Sequence, residues 1–522
     1  MAYSTGKFIF ILQIAVLLSC LGAWWTAYRY RAVMQRMMRA PAAKGARATA
    51  LPAESEPLPL PTPVSLDDNR RAAQRITLLL IGLSCLMAIS SASLWLILAF
   101  PGEPFSHKRA AVIALMHLWP VIPALTLLWR WSRWRMLGML VLWYVLCFAV
   151  MLWRSIEPQP LQLLLGLAIE IGPAMVVVAL LCMGNATRAV APWLLLPFVG
   201  LVWASMFGID ILALMVEQRS PLLLWLTTWL SAHWGVLLFA VLPWLLAWWP
   251  LRRLGRALGR AYARKRLSEL MVLFTAVWAI SLMDRALTVA SSAGWIAIAM
   301  LLPLLWIPPV MWVNARLQAR SRPPTLLVLR VFQRDVQIQD LFDHVIERWR
   351  LSGNTVMIAG TDLAVRTLDA DDIFTFLDGG LAGRFIHVPA DVPLRMAAFD
   401  MAPDADGRYR INECYCHDTT WQDALHALVR HSDVVLMDLR GFQAHNAGCR
   451  YELGALAQAS RALRVVILTD GHTDRAAAAE SVGHAQPGRF VWLDASLVDA
   501  RKRREVLASL FSARDEAALP QT

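Results

Sequence analysis

An acidic residue follows a cysteine by three positions in the stretch GCRYELGAL, residues Gly448 to Leu456. This stretch comes shortly after Val434 to Leu439, whose apolar run is typical of a buried strand. Residues three apart share one face of a helix, so Cys449 and Glu452 are predicted to lie together beside a stripe of buried leucines. A fixed carboxylate in such a position can stabilise positive charge that develops on a substrate.

The elements that would position Glu452 follow a β-strand and helix alternation that begins near Thr325. Short β-branched runs alternate there with amphipathic stretches, which is typical of a mostly parallel sheet wrapped by helices. The predicted strands are Leu326–Phe332, Thr355–Gly360, Val434–Leu439, Val465–Asp470 and Phe490–Asp494. The predicted helices are Gln339–Arg350, Asp371–Leu381, Thr420–His431, Cys449–Ala459 and Ser496–Phe511. The segment from Arg395 to His417, which contains DADGRYRINE, is predicted to be a hairpin or an ordered loop.

In open α/β sheets, ligands bind beyond the carboxyl ends of the strands. The predicted helix that carries Glu452 starts at such an end, so its carboxylate is expected to face the crevice at that edge.

The first three hundred residues have the composition of a membrane protein. The chain of 522 residues is 57% hydrophobic, and 21 of its 24 tryptophans precede residue 325. A membrane span requires about 20 apolar residues, and nine segments before Asn314 meet that length. They are approximately Phe8–Tyr28, Ile76–Phe100, Ala111–Trp129, Leu137–Trp153, Leu161–Met183, Val190–Val216, Leu222–Trp249, Leu267–Ala290 and Trp295–Val313.

These features predict the domain organisation and the orientation. The chain divides into a transmembrane anchor (1–30), a cytoplasmic Pro/Ala-rich linker (31–75), an eight-span membrane domain (76–315), an α/β domain (325–513) and a tail (514–522). With the N-terminus outside, the inner segments hold 23 lysines and arginines and the outer segments hold six. The positive-inside rule therefore places the protein in the inner (plasma) membrane with its C-terminal domain in the cytoplasm.

The net charge of +12 does not indicate nucleic-acid binding. The dense basic runs lie beside apolar spans, where lysine and arginine side chains interact with anionic lipid headgroups. Membrane lipid is therefore the expected partner. The seven cysteines lack the spacing of a disulfide framework. Cys414-Tyr-Cys416-His417 also lacks the spacing of a zinc knuckle, so no metal is predicted.

Charged and histidine residues inside predicted spans are the usual signs of a transport pathway. The candidates are His117, Glu170, Asp210, His233, Asp284 and Arg285. Asp284 and Arg285 have a simpler interpretation, since they are predicted to lie near an outer hairpin. Matched Gly/Pro interruptions in two halves, which are typical of secondary transporters, are not evident in the sequence.

The segments Ser432–Phe442 and Gly448–Leu456 resemble the part of Toll/interleukin-receptor (TIR) domains in which a strand is followed by a Trp-Cys-x-x-Glu-Leu helix. Cys449, Tyr451, Glu452 and Leu453 match that box, and Gly448 stands where the family has Trp. LRVFQRD, residues 329–335, is similar to the first strand and following loop of the family. GCRYELG fits nucleoside deoxyribosyltransferases as well, and these have a related fold. The predicted fold class is therefore a multi-span helical membrane domain plus a cytoplasmic α/β domain with a flavodoxin/TIR-like sheet.

Resemblance to catalytic TIR domains implies that NAD is a substrate, not a cofactor, and that its N-glycosidic bond is cut. Glu452 would then be the catalytic carboxylate beside an oxocarbenium-like transition state. The implied ligand contacts are a base stacked on Phe332, phosphates held by Arg330, Arg334 and Arg440, a ribose hydroxyl bonded to Asp438, and Cys449 beside the catalytic acid. For Cys449 the simpler alternative is a small buried apolar residue.

Two further functions stay open at this point. Many TIR relatives are non-enzymatic modules that signal by self-association, which would make a second copy of the chain the partner. The third alternative is a transporter with a regulatory nucleotide-binding domain.

Overall fold

The structure is a computed structural model. It describes residues 5–39, 61–62, 64–155, 159–182, 184–221, 225, 228–229, 231–318, 322–330, 341–359, 370–417, 419–459, 464–483, 488–496 and 499–511. Two compact units are present. The first comprises residues 1–28, 79–312 and 369–374, and the second comprises residues 29–78, 313–368 and 375–522.

Long apolar helices make up most of the first unit. Along the chain they are α1 (Thr5–Arg39), α2 (Leu66–Ala99), α3 (His107–His117), α4 (Val121–Trp129), α5 (Arg133–Arg154), α6 (Pro160–Cys182), α7 (Asn185–Glu217), α8 (Ala232–Ala263), α9 (Glu269–Ala293), the 3-10 helix Gly294–Trp306 and α10 (Ile307–Arg316). Within the described residues, nine helical segments are long and apolar enough to cross a membrane. They fit a multi-pass membrane protein, as the hydropathy pattern predicts.

One candidate span, His107–Trp129, is interrupted. The helix α3 ends at His117, and α4 begins at Val121 after a turn that includes Pro120. Proline has no N–H to donate and disfavours helical geometry in the residue before it, which explains why the helix breaks there.

A parallel sheet forms the centre of the second unit. Its seven strands are β1 (Thr325–Arg330), β2 (Asn354–Ala359), β3 (Phe385–Ile386), β4 (Ile411–Cys416), β5 (Val434–Asp438), β6 (Arg464–Thr469) and β7 (Phe490–Asp494). Their order across the sheet is β3-β4-β2-β1-β5-β6-β7, and each neighbouring pair is parallel. The strands β1, β5 and β6 are buried along their whole length, which explains their continuous apolar sequences.

Helices cover both faces of this sheet. The connecting helices are the turn Phe342–Ile346 with α11 (Glu347–Trp349), α12 (Ala370–Leu377), α13 (Val392–Ala397), α14 (Trp421–His431), α15 (Ala447–Gln458), α16 (Arg475–Val482) and α17 (Ala500–Phe511), together with the 3-10 turns Gly380–Arg384 and Pro389–Asp391. One apolar cluster joins α14, α15 and α16 to one face of the sheet. A second cluster joins Trp349 and the end of α17 to the other face.

The five strands expected from the sequence overlap β1, β2, β5, β6 and β7. Of the two alternatives expected for 395–417, the hairpin is wrong, because β4 in this segment pairs in parallel with β2. Residues 398–410 belong to neither a helix nor a strand and form a loop between α13 and β4. The Asp-Gly turn of that segment does form, since Gly407 N donates to Asp404 O at 2.8 Å. The short strand β3 was not expected.

The second unit also includes the ends of α1 and α2 that adjoin the predicted linker. Tyr30 and Met34 of α1 are fully buried in a cluster with Phe385 and Tyr415, and the Tyr30 and Tyr415 hydroxyls are 3.1 Å apart. Near the start of α2, the Asn69 amide donates to Arg348 O at 2.6 Å. The helix α1 therefore continues to Arg39, past the predicted end of the anchor, and α2 begins at Leu66, within the predicted linker.

Replacing Trp349 with alanine is expected to destabilise the second unit by about 3–5 kcal/mol, because it leaves a cavity in the core. The Trp349 ring stacks on Phe511 with centroids 4.9 Å apart, and its indole N–H donates to Asn354 O at 2.9 Å. The measurement is denaturant unfolding of the full chain in detergent. Leu394→Ala, at a side chain that is 74% exposed, is the control and is expected to change stability by less than about 0.5 kcal/mol. Equal effects of the two substitutions would contradict this assignment of the core.

Candidate active site at the carboxyl ends of β1 and β5

The chain changes direction across the sheet between β1 and β5. From β1 it continues to β2 on one side, and it later returns to place β5 on the other side. Arg330 and Asp438, the last residues of these strands, are register partners. Loops diverge at such a switch point, so the carboxyl ends of β1 and β5 are where this fold type binds ligands.

An ion pair closes the turn after β5. Arg440 Nε donates to Asp438 Oδ1 at 2.8 Å, and Arg440 Nη2 donates to Asp438 Oδ2 at 2.6 Å. Both side chains are buried. This two-point geometry fixes the guanidinium plane against the carboxylate, so Asp438 and Arg440 chiefly neutralise each other.

Asp470, at the end of β6, holds the loop that leads from β5 to α15. Its Oδ1 accepts hydrogen bonds from Gly441 N at 2.9 Å, His472 N at 3.1 Å and Thr473 Oγ1 at 2.9 Å. Gly441 adopts φ +72°, a left-handed conformation that favours glycine. The sequence analysis did not select Asp470, although an aspartate followed by Gly-His-Thr at a strand end is typical of a side-chain-capped turn.

The helix α15 places Glu452 at this site. Leu453 and Leu456 are fully buried against the sheet, which fixes the rotation of the helix. The Glu452 side chain is therefore directed inward, and the residue is only 5% exposed. Within the described part of the chain, its Oε2 is buried and has no hydrogen-bond partner.

Burial raises the pKa of Glu452 to about 8, and the positive charge of Arg330 opposes that rise. At neutral pH the carboxyl group is therefore mostly protonated. A cation bound beside it would favour the carboxylate, because an opposite charge stabilises the ionised form.

Cys449, one turn before Glu452, is a buried thiol. Burial raises its pKa to about 12, and the neighbouring Glu452 adds to the rise. Thiolate is the reactive form of cysteine, so this environment makes Cys449 inert and agrees with the simpler interpretation of it as a small apolar residue.

The structure brings together five of the seven predicted site residues, either at the ends of β1 and β5 or in the turn and helix that follow β5. These five are Arg330, Asp438, Arg440, Cys449 and Glu452. Phe332 and Arg334 lie outside the described residues, so the contacts predicted for them stay predictions.

Among the described residues there is no group of three or more His, Cys, Asp or Glu side chains placed to hold a metal ion. His417, the histidine next to Cys416, lies 3.3 Å from the His387 ring, measured from His417 Nε2 to His387 Nδ1.

Comparison with known proteins finds no matching family model, no similar curated protein and no similar solved structure.

Cys449 is expected to resist alkylation in the folded protein at neutral pH, because its thiol is buried and protonated. The measurement is maleimide labelling of the full chain in detergent followed by peptide mass spectrometry, with urea-denatured protein as the control. Rapid labelling of Cys449 in the native sample would show that the thiol is open to reagents.

Replacing Glu452 with glutamine is expected to make stability less dependent on pH. The folded-state pKa of about 8 exceeds the ordinary 4.5, so the folded protein binds more protons than the unfolded chain between these values. The stabilising contribution of the neutral acid is complete below pH 4.5 and is lost as pH rises through about 8. Glu452→Gln should therefore gain stability relative to the parent between about pH 5 and about pH 9, as measured by denaturant unfolding. A constant difference across this range would contradict the assignment.

Proposed function

We propose that this protein is a membrane-anchored, TIR-like enzyme that cleaves the N-glycosidic bond of NAD or a related nucleotide in a signalling or defence role. The observation that carries the proposal is the Glu452 carboxyl group, which is buried with an unpartnered oxygen and lies within electrostatic range of Arg330 at the switch point of the sheet.

The strand order supports the TIR-like assignment. Without β3 and β4, which extend the sheet beyond β2, the strand order is β2-β1-β5-β6-β7, the order of flavodoxin-like sheets. The segments that resemble TIR domains correspond to the end of β1, to β5 with its following turn, and to α15. The resemblance thus falls on the elements that meet at the carboxyl edge of the sheet.

The proposed reaction breaks the bond between the ribose anomeric carbon and the nicotinamide nitrogen. The bonding electrons leave with nicotinamide and neutralise its ring nitrogen, while the sugar develops oxocarbenium character. Water then adds to the anomeric carbon and loses a proton, which yields ADP-ribose. The Glu452 carboxylate stabilises the positive sugar, and the cationic nicotinamide riboside of bound NAD favours that ionised form of the acid.

The positively charged groups at the same edge suit the rest of the substrate. Arg330 supplies a guanidinium group for the pyrophosphate, which guanidinium recognises through charge-assisted hydrogen bonds. Arg440 is already paired with Asp438 and would contribute only after that ion pair opens. The excess of lysine and arginine on the inner segments supports a cytoplasmic position for this unit.

The test is nicotinamide release from NAD by the purified full chain in lipid nanodiscs, followed by chromatography. Glu452→Gln is expected to lower kcat by about 10²-fold or more, because removing one group that stabilises the transition state has effects of this size. Glu480→Gln is the matched control, since its side chain is 75% exposed on α16.

The activity of the parent protein should also depend on pH in a defined direction. The carboxylate is the active form, so kcat/KM is expected to rise about tenfold per pH unit below about 8 and to level above that value. Activity of Glu452→Gln equal to that of the parent, or kcat/KM that falls as pH rises, would overturn the proposed role of Glu452.

The near-complete burial of Glu452 and the mutual pairing of Asp438 and Arg440 favour a second candidate, a non-enzymatic self-association module. In that case the buried acid only shapes the fold. Light scattering distinguishes the two functions: a self-association module forms concentration-dependent oligomers and releases no nicotinamide at any degree of assembly.

A further inference from the structure

A cluster of polar and charged side chains lies within the helices of the first unit. We call it the Arg285 cluster. It consists of the buried Ser91 on α2, His117 on α3, and Asp284 and Arg285 on α9, with the half-buried Glu170 of α6 within electrostatic range of Asp284 and Arg285. Asp284 and Arg285, which were expected near an outer hairpin, lie inside α9, which continues to Ala293, and both are buried. Charged groups within apolar helices are rare and usually have a function.

Arg285 forms the centre of the cluster and is 3% exposed. Its Nη1 donates to Ser91 Oγ at 2.9 Å, and its Nη2 donates to the backbone oxygen of His117 at 3.4 Å. The Ser91 hydroxyl also lies 2.9 Å from His117 Nδ1. Three helices therefore meet through one guanidinium group.

The helix break makes the backbone oxygen of His117 available to Arg285. In an uninterrupted helix this oxygen would accept a hydrogen bond from Val121 N, but Val121 N donates to Leu118 O. The helices on either side of the break have 11 and 9 residues, or about 16 Å and 14 Å at 1.5 Å per residue. The break therefore lies near the middle of a span about 30 Å long, where irregular backbone requires a polar partner.

The charges of the cluster do not cancel. Arg285 interacts electrostatically with both Asp284 and Glu170, and Asp284 is itself buried. With both acids ionised and His117 neutral, the cluster carries one net negative charge. An uncompensated charge in an apolar interior is unfavourable by several kcal/mol, so the cluster requires one additional positive charge.

The cluster also contains a basic atom that can accept a proton. His117 Nε2 is fully buried and has no hydrogen-bond partner among the described residues. The net negative charge disfavours an anion, and no group of three metal-ligating side chains occurs in the described part of the chain. A proton needs one basic atom and no coordination shell, so it fits the cluster better than a metal cation.

We propose that the Arg285 cluster is an intramembrane site for one exchangeable proton, which Glu170, Asp284 and His117 share. Arg285 supplies the permanent positive charge, and Ser91 links it to the histidine ring. This inference concerns the first unit and does not depend on the function proposed for the second.

The test is infrared difference spectroscopy of the full chain in lipid nanodiscs as pH is raised. Every sample, including the parent protein of this experiment, carries Glu452→Gln, because the protonated Glu452 of the second unit would add a carboxylic band of its own. The parent protein is expected to lose a carbonyl band of a protonated carboxylic acid, and the band should shift in D₂O. Glu170→Gln and Asp284→Asn should each remove or displace this band. Glu217→Gln, at an exposed position at the end of α7, should retain it.

A parent protein without a titrating carboxylic band would overturn the proposal, and this arm requires no substitution in the Arg285 cluster itself. A band that persists unchanged in the Glu170→Gln/Asp284→Asn double variant would also overturn it. In a further measurement, sodium is replaced with choline at constant pH. A change of the carboxylic band would identify a metal cation, instead of a proton, as the occupant of the cluster and would overturn the proposal. His117→Gln should move the titration midpoint of the band and leave its amplitude intact, and an unmoved midpoint would contradict the role of His117 as a sharer of the proton.

Discussion

The parallel alignment of β1 with β5 is the constraint on which the candidate active site depends. Because every neighbouring pair in the sheet is parallel, all carboxyl ends lie at one edge. Burial on both faces fixes the register, since a shift by one residue would turn apolar side chains of one face toward the other. That register sets Arg330 opposite Asp438 and directs the chain after β5 into the turn that leads to Glu452.

The same apolar packing creates an electrostatic problem at Glu452. Leu453 and Leu456 pack in the core beneath α15, and in this rotation of the helix Glu452 is buried as well. Arg330 offsets only part of the loss of hydration, and the carboxyl group keeps its proton at neutral pH. A buried acid that conflicts with its surroundings is a feature of functional sites, where a ligand supplies the missing interaction.

The central strands were predictable because Val434 to Met437 and the corresponding parts of its neighbours are short continuous apolar runs, as a strand buried on both faces requires, and are too short for a membrane span. The strand β4 was missed for the converse reason: INECYC, residues 411–416, mixes Asn412 and Glu413 with apolar residues, and its partners are distant in sequence. The strand β3 has two residues, which are too few to show an alternation of apolar and polar side chains.

The site was only partly predictable for related reasons. The position of Glu452 was predictable because it depends on features of the nearby sequence. These features are the spacing of residues along one helix and the end of the apolar strand that precedes it. The pairing of Asp438 with Arg440 depends on the conformation of a turn, and the loop contacts of Asp470 join two strands. The pattern of apolar residues in the sequence predicts neither the ion pair of Asp438 with Arg440 nor the loop contacts of Asp470.

The inclusion of Tyr30, Met34 and Asn69 in the second unit has a practical consequence for dividing this protein into parts. The tryptophan content of the sequence suggests a cut near Thr325, yet such a truncation would remove the side chains that cover Phe385 and Tyr415. An isolated C-terminal piece would present a freshly uncovered aromatic surface to solvent and would tend to aggregate. Work on the second unit therefore calls for a grafted helix that restores residues 29–39, or for the intact polypeptide.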